Sequence, residues 1–211
     1  MRRLPVYLLL DTSGSMFGEA IQAVQTGVQT LVSTLRQDPY ALETAYLSII
    51  TFNTDAKQVC PLTEISAFQE PTLQASGCTA LGEALEVLCK AVDNDLTKTT
   101  EMKKGDWKPL VFLMTDGEPT DDIRHGLEEF KKRKFGLVVA CAAGNNANTD
   151  VLKKITEIVV QLDTADSATI KSFFKWVSAS VQTGSQKVDG GQEVGGLQEL
   201  PPPPPEVNIV V

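Results

Sequence analysis

The sequence predicts an α/β fold, a mostly parallel central sheet with helices on both faces. Tyr7 to Leu10 is an apolar run that ends abruptly in Asp11, and Leu110 to Met114 is a second run that leads through Thr115 into Asp116. Short continuous apolar runs are how strands buried on both faces read. Between such runs lie segments with apolar residues at helical spacing. Strand-like and helix-like segments alternate along most of the chain, which calls for crossover connections and parallel pairing.

The elements follow in order. After the Asp11 loop, Ile21, Val24, Val28, Leu31, Val32 and Leu35 recur in steps of three and four, one face of a long helix. Asp38-Pro39 stops it. Ala45 to Phe52 is β-branched and aromatic, a strand, and Asn53-Thr54-Asp55 turns the chain. Lys57 to Leu62 reads as a hairpin partner that Pro61 confines to a sheet edge. Ala75 to Thr79 is a loop leading into a helix whose inner face is Leu81, Leu85, Leu88 and Val92. Lys98 to Lys108 is a polar surface excursion, and the strand at Leu110 follows it. Asp121 or Thr120 is expected to cap the next helix, which carries Ile123, Leu127 and Phe130. Gly136 to Ala142 is a strand, Gly144 to Asn148 a turn, Thr149 to Ile155 a short helix and Ile158 to Leu162 a strand. A helix capped by Asp166 buries Ile170, Phe173, Phe174, Val177 and Val181.

Two parts are expected: a folded domain over residues 1–183 and a flexible Gly/Pro-rich tail over 184–211. Gly190-Gly191, Gly195-Gly196 and the run Pro201 to Pro205 read as a spacer with polyproline character.

Composition narrows the function classes. Hydrophobic residues make up 42% of the 211, enough for a globular core. The net charge of −8 argues against nucleic acid or an anionic membrane as partner. Lys131 to Lys134 reads as the solvated end of a helix. No run approaches the roughly 18 apolar residues of a membrane helix. The basic start Arg2-Arg3 leads into an apolar stretch with no small-residue cleavage site, so no signal peptide is expected. Cys60, Cys78, Cys89 and Cys141 show no CxxC spacing and are expected as buried free thiols, with a Cys60–Cys78 bridge left open. These readings together point to the cytoplasm. His125, the single histidine, sits among charged helix residues and is expected to be exposed; Trp107 and Trp176 are expected in the packing, and Met16-Phe17 as an apolar rim beside the loop.

Two strands ending in aspartate put both carboxylates at one crevice if the strand order reverses between them. The loop before the Leu81 helix starts at the same edge. Asp11, Ser13, Ser15, Thr79 and Asp116 then form an oxygen-only set, which suits a hard divalent cation such as Mg²⁺. Either aspartate alone reads more readily as a helix cap, with the serines satisfying backbone groups, but the joint pattern of five favours the metal. Glu118 and Asp121 are expected to serve their loop, and Asn145, Asn146 and Asn148 to form a turn near the crevice. A rival is a metal-dependent, phosphatase-like hydrolase with Asp11 as nucleophile; Ser13 stands where its acid/base aspartate is needed. With neither GxGxxG nor GxxxxGK[ST] in the loop, nucleotide binding has little support.

The pattern Asp11-Thr12-Ser13-Gly14-Ser15, then Thr79 in Gly77-Cys78-Thr79-Ala80-Leu81, then Thr115-Asp116-Gly117, resembles the von Willebrand factor A (VWA) domain and its metal-ion-dependent adhesion site, or MIDAS. The resemblance covers residues 4–182 and is nearest to TerY-type proteins of bacterial tellurite resistance and stress. It implies a three-layer, Rossmann-like fold and a non-enzymatic protein-binding module. Ser13 and Ser15 would bind Mg²⁺ directly (Mn²⁺ or Ca²⁺ in its place), Thr79 directly or through water, and Asp11 and Asp116 mainly through water. The implied partner supplies an Asp or Glu ligand; a Ser/Thr kinase or a PP2C-type phosphatase is the implied company.

Overall fold

The computed structural model describes residues 2–144 and 147–210. The turn residues Asn145 and Asn146 lie outside the described residues. A seven-stranded sheet has the order β3-β2-β1-β4-β5-β6-β7. Its strands are β1 (Leu4–Asp11), β2 (Ala45–Phe52), β3 (Ala56–Glu64), β4 (Leu110–Thr115), β5 (Leu137–Ala143), β6 (Val159–Leu162) and β7 (Val207–Val210). The five strands β2, β1, β4, β5 and β6 are parallel, and β3 and β7 close the two edges antiparallel.

The pleat of β1 sorts the core into two halves. Leu4, Val6, Leu8 and Leu10 face α1 (Glu19–Gln37) and α6 (Ser167–Asp189), while Tyr7 and Leu9 face α3 (Leu81–Asp95) and Phe130 of α4 (Ile123–Lys131). Both halves are buried, which is why β1 reads as unbroken apolar sequence. Two shorter helices complete the layers, α2 (Pro39–Thr44) and α5 (Thr149–Leu152). The α1–α6 crossing is close because Gly27 lies against Phe174; a Cβ at Gly27 would sit 2.2 Å from the ring. No helix among the described residues is long and apolar enough to cross a membrane.

Four expectations need correction. Asp38-Pro39 does end α1, but it also starts α2: Asp38 accepts a hydrogen bond from Ala41 N at 2.8 Å and Pro39 occupies the first helical position. The cap of α4 is Asp122, not Asp121 or Thr120. The boundary at 183/184 falls inside α6, which runs on to Asp189 because Gly184, Ser185 and Val188 continue its buried face. The segment expected as a flexible tail also packs: Trp176 Nε1 donates to Pro201 O at 2.8 Å, and β7 pairs with β6 from Val207 to Val210. Alternation in so short a strand is drowned by the prolines before it.

The four cysteines are free, but Cys78 is exposed and Cys60 half-buried, so burial holds only for Cys89 and Cys141. Burial pushes the Cys89 thiol up to about 11.

Candidate metal centre

The chain leaves β1 toward β2 on one side and later enters β4 on the other. The sheet therefore reverses its order between β1 and β4, and the crevice beyond their carboxyl ends is where α/β sheets bind ligands. Asp11 is the last residue of β1, and Asp116 follows the last residue of β4.

The structure brings the five expected residues to this crevice, on three loops. Ser13 Oγ lies 3.0 Å from Ser15 Oγ, and Ser15 Oγ donates to Asp116 Oδ1 at 2.7 Å. A Cβ placed on Gly117 would lie 3.9 Å from both Ser15 Oγ and Thr79 Oγ1, which brings the Thr79 hydroxyl to the same spot. That hydroxyl makes no hydrogen bond among the described residues. Asp11, Ser13, Thr79 and Asp116 are buried, while Ser15 is exposed.

Asp11 is held at both oxygens. Oδ1 accepts from Ser13 N at 2.8 Å and Oδ2 from the Thr115 hydroxyl at 2.5 Å. Burial pushes the Asp11 carboxyl up; the bonds from Ser13 and Thr115 pull it back, and the nearby Asp116 charge adds to the rise. Burial likewise raises Asp116, against the pull of Ser15. Thr115 was not among the expected site residues, since Thr115-Asp116 reads as one more strand residue followed by a carboxylate.

Backbone bonds tie the loops together. Gly14 N donates to Gly77 O at 3.0 Å and Ser76 N to Thr12 O at 2.8 Å. Thr79 N donates to Thr120 Oγ1 at 3.0 Å, and Thr120 N returns a bond to Thr79 O at 2.9 Å. Asp121 accepts from Gly82 N and Glu83 N, so it caps α3 rather than its own helix. Gly77 adopts φ +74°, and a Cβ there would sit 2.2 Å from Thr54 Oγ1; only glycine fits this turn.

The surroundings follow the expected roles in part. Met16 is buried and so forms no rim, but Phe17 is 81% exposed beside the loop. Asn148 caps α5 and donates to Glu118 Oε1 at 3.2 Å. His125 is exposed, with Nδ1 2.8 Å from Glu86 Oε1, and both tryptophans are buried.

The donor set fits a hard cation. It gathers three hydroxyls beside two buried carboxylates, and the Asp116 charge adds to the rise of the Asp11 carboxyl. No cluster of three His, Cys, Asp or Glu side chains suited to a metal exists among the described residues, so this set rests on hydroxyls beside two carboxylates. Hydrolase chemistry fits poorly: both Asp11 oxygens are engaged, and Ser13 replaces the acid/base.

The sequence profile of the von Willebrand factor type A domain matches residues 6–177. The chain belongs to this family. VWA domains are typically metal-dependent protein-interaction modules, not enzymes. An uncharacterized Synechocystis sp. protein, sll0103, is 30% identical over 171 residues, 73% of this chain and 36% of that protein. Among solved structures, a von Willebrand factor type A protein from Catenulispora acidiphila superposes with TM-score 0.65 at 20% identity, covering 86% of this chain and 43% of that one. Proximal thread matrix protein 1 from the mussel byssus, solved with zinc in its MIDAS motif, gives TM-score 0.59 at 19% identity over 84% of this chain and 48% of that one. These structural likenesses show the fold. The chain spans between 36% and 48% of the length of these relatives.

Proposed function

We propose that the chain is a MIDAS-type module that holds Mg²⁺ and presents it to a carboxylate of a protein partner. The observation that carries this reading is the convergence of Ser13, Ser15 and Thr79 hydroxyls beside the buried carboxylates of Asp11 and Asp116. In it, Ser13 and Ser15 bind the ion directly, Thr79 directly or through water, and Asp11 and Asp116 through water. Mn²⁺ or Ca²⁺ would fit the same oxygen set. Neutral hydroxyl ligands leave the cation's charge incompletely balanced, so a partner Asp or Glu is both ligand and counter-ion. Phe17, exposed two residues after Ser15, offers that partner an apolar contact.

The finer setting rests on resemblance to TerY-type proteins: bacterial tellurite resistance or stress response in the cytoplasm, alongside a Ser/Thr kinase or a PP2C-type phosphatase. Two measurements test the reading. Calorimetry with Mg²⁺ should show binding to the wild-type chain and loss of it in Ser13→Ala and Asp116→Ala; equal affinity in all three refutes the site. Affinity capture in Mg²⁺ should retain a partner that EDTA or Asp11→Ala releases.

A further inference from the structure

At the opposite pole, by the amino ends of the parallel strands, lies a cavity of about 530 Å³. Four cations line it, Arg2, Arg3, Lys103 and Lys104, against one carboxylate, Asp106. This is an unusual concentration in a chain of net charge −8.

The single carboxylate is already engaged. Arg3 grips Asp106 with two bonds, Nε to Oδ1 at 3.0 Å and Nη2 to Oδ2 at 2.5 Å, and Thr97 N adds a third at 2.7 Å. Arg2 is also fixed in place, but by neutral groups: Nε donates to Gly105 O at 2.7 Å, Nη2 to Asp106 O at 3.4 Å, and the guanidinium stacks 3.6 Å over the Trp107 ring. Arg2, Lys103 and Lys104 have no carboxylate ion pair among the described residues. Other nearby acids are Glu101 on the same loop, Asp189 in an adjoining cavity of about 250 Å³, Asp95, whose carbonyl accepts from Arg3 and whose carboxylate accepts from Tyr7 and Gln58, and Glu193, which is paired with Lys108 and also feels the Arg2 charge. Apolar surface comes from the Tyr46 ring, over which the Arg3 guanidinium lies at 5.2 Å, and from Met102, which is 98% exposed.

We propose that this cavity binds a small organic phosphate carrying at least two negative charges. A pre-oriented guanidinium and two mobile ammoniums suit a compact polyanion with several oxygens. The volume falls in the range of small-molecule sites, and Tyr46 and Met102 offer the organic part apolar surface. The site stands apart from the metal centre and does not depend on it.

Calorimetry on the full chain in EDTA and low salt, with pyrophosphate, ATP and citrate as probes, tests this. The expected result is saturable binding of pyrophosphate, tighter binding of ATP, and affinity that falls with salt. The Lys103→Gln/Lys104→Gln variant, whose side chains make no ion pair, should unfold at the wild-type temperature and bind about tenfold more weakly or worse. Ser13→Ala should bind as wild type does. The proposal is overturned by absence of saturable binding, by equal affinity in the double variant, by citrate binding as tightly as pyrophosphate, or by ATP binding no tighter than pyrophosphate.

Discussion

The Thr115→Val substitution separates the support of the candidate metal centre from its proposed ligands. Valine keeps the shape of threonine but removes the hydroxyl that donates to Asp11 Oδ2 at 2.5 Å. Asp11 is 1% exposed, so water has little room to replace that donor. A hydrogen bond to a charged group is worth about 1.5–3 kcal/mol. For a chain of this size each kcal/mol moves the unfolding temperature by ~2–4 °C, so the drop should be roughly 3–12 °C in EDTA. Hydroxyls behind metal-site carboxylates orient the ligands, and their loss typically weakens metal binding about 10–100-fold. Thermal unfolding in EDTA reads the first effect, and Mg²⁺ calorimetry the second. An unfolding temperature unchanged within about 1 °C would show that Asp11 does not depend on this donor. If metal affinity also held, the carboxylate would not need Thr115 for its orientation.

Other substitutions probe the frame around the site. Gly27→Ala drives a methyl into the buried Phe174 ring, 2.2 Å away, and should destabilise by about 1–3 kcal/mol in urea unfolding. The buried Ser185 hydroxyl has no hydrogen-bond partner among the described residues, so Ser185→Ala should raise the unfolding temperature by about 2–4 °C. Deleting residues 197–211 strips β7 from β6 and the Pro201 acceptor from Trp176; the unfolding temperature should fall, whereas a true spacer would leave it unchanged. Glu86 raises the pKa of His125 above 6.5, so its ion pair contributes fully below that pH and is lost as pH rises through the folded value. An NMR titration of the imidazole should show this raised midpoint, and Glu86→Gln should return it toward 6.5.

Most of the fold was legible because burial on both faces leaves a signature. β1 and β4 are continuous apolar runs, and α1 repeats apolar residues on one helical face. The candidate site was legible for a related reason: its residues sit where such runs stop, so Asp11 and Asp116 stand out as carboxylates at the ends of buried strands. What stayed hidden depends on contacts between distant segments. Asp121 lies three residues before Arg124 and looks like a cap for its own helix, yet its oxygens face the amino end of α3, 38 and 39 positions away in sequence. Thr115 reads as strand filler until Asp11 is seen beside it. The end of α6 and the pairing of β7 were masked by glycines and prolines, whose local preference is overridden by packing on Val194, Val207 and Trp176.

The three loops of the candidate metal centre are tied to one another by the protein's own hydrogen bonds. β1's loop is fastened to the Gly77 turn, that turn to the end of β2 through Ala80 N and Asn53 O at 2.8 Å, and Thr79 to the β4 loop through Thr120. Each tie is a hydrogen bond of the protein with itself and needs no ligand to form. A site assembled this way spends little of a ligand's binding free energy on immobilising loops. The same ties leave few oxygens of the candidate site uncommitted. Asp11 uses both oxygens on the frame and Asp116 uses one on Ser15, whereas Thr79 Oγ1 is uncommitted and Ser15 is exposed. Under the proposed function, a cation would meet the Thr79 hydroxyl and the exposed Ser15 beside two buried carboxylates, and a partner's carboxylate would complete the charge balance.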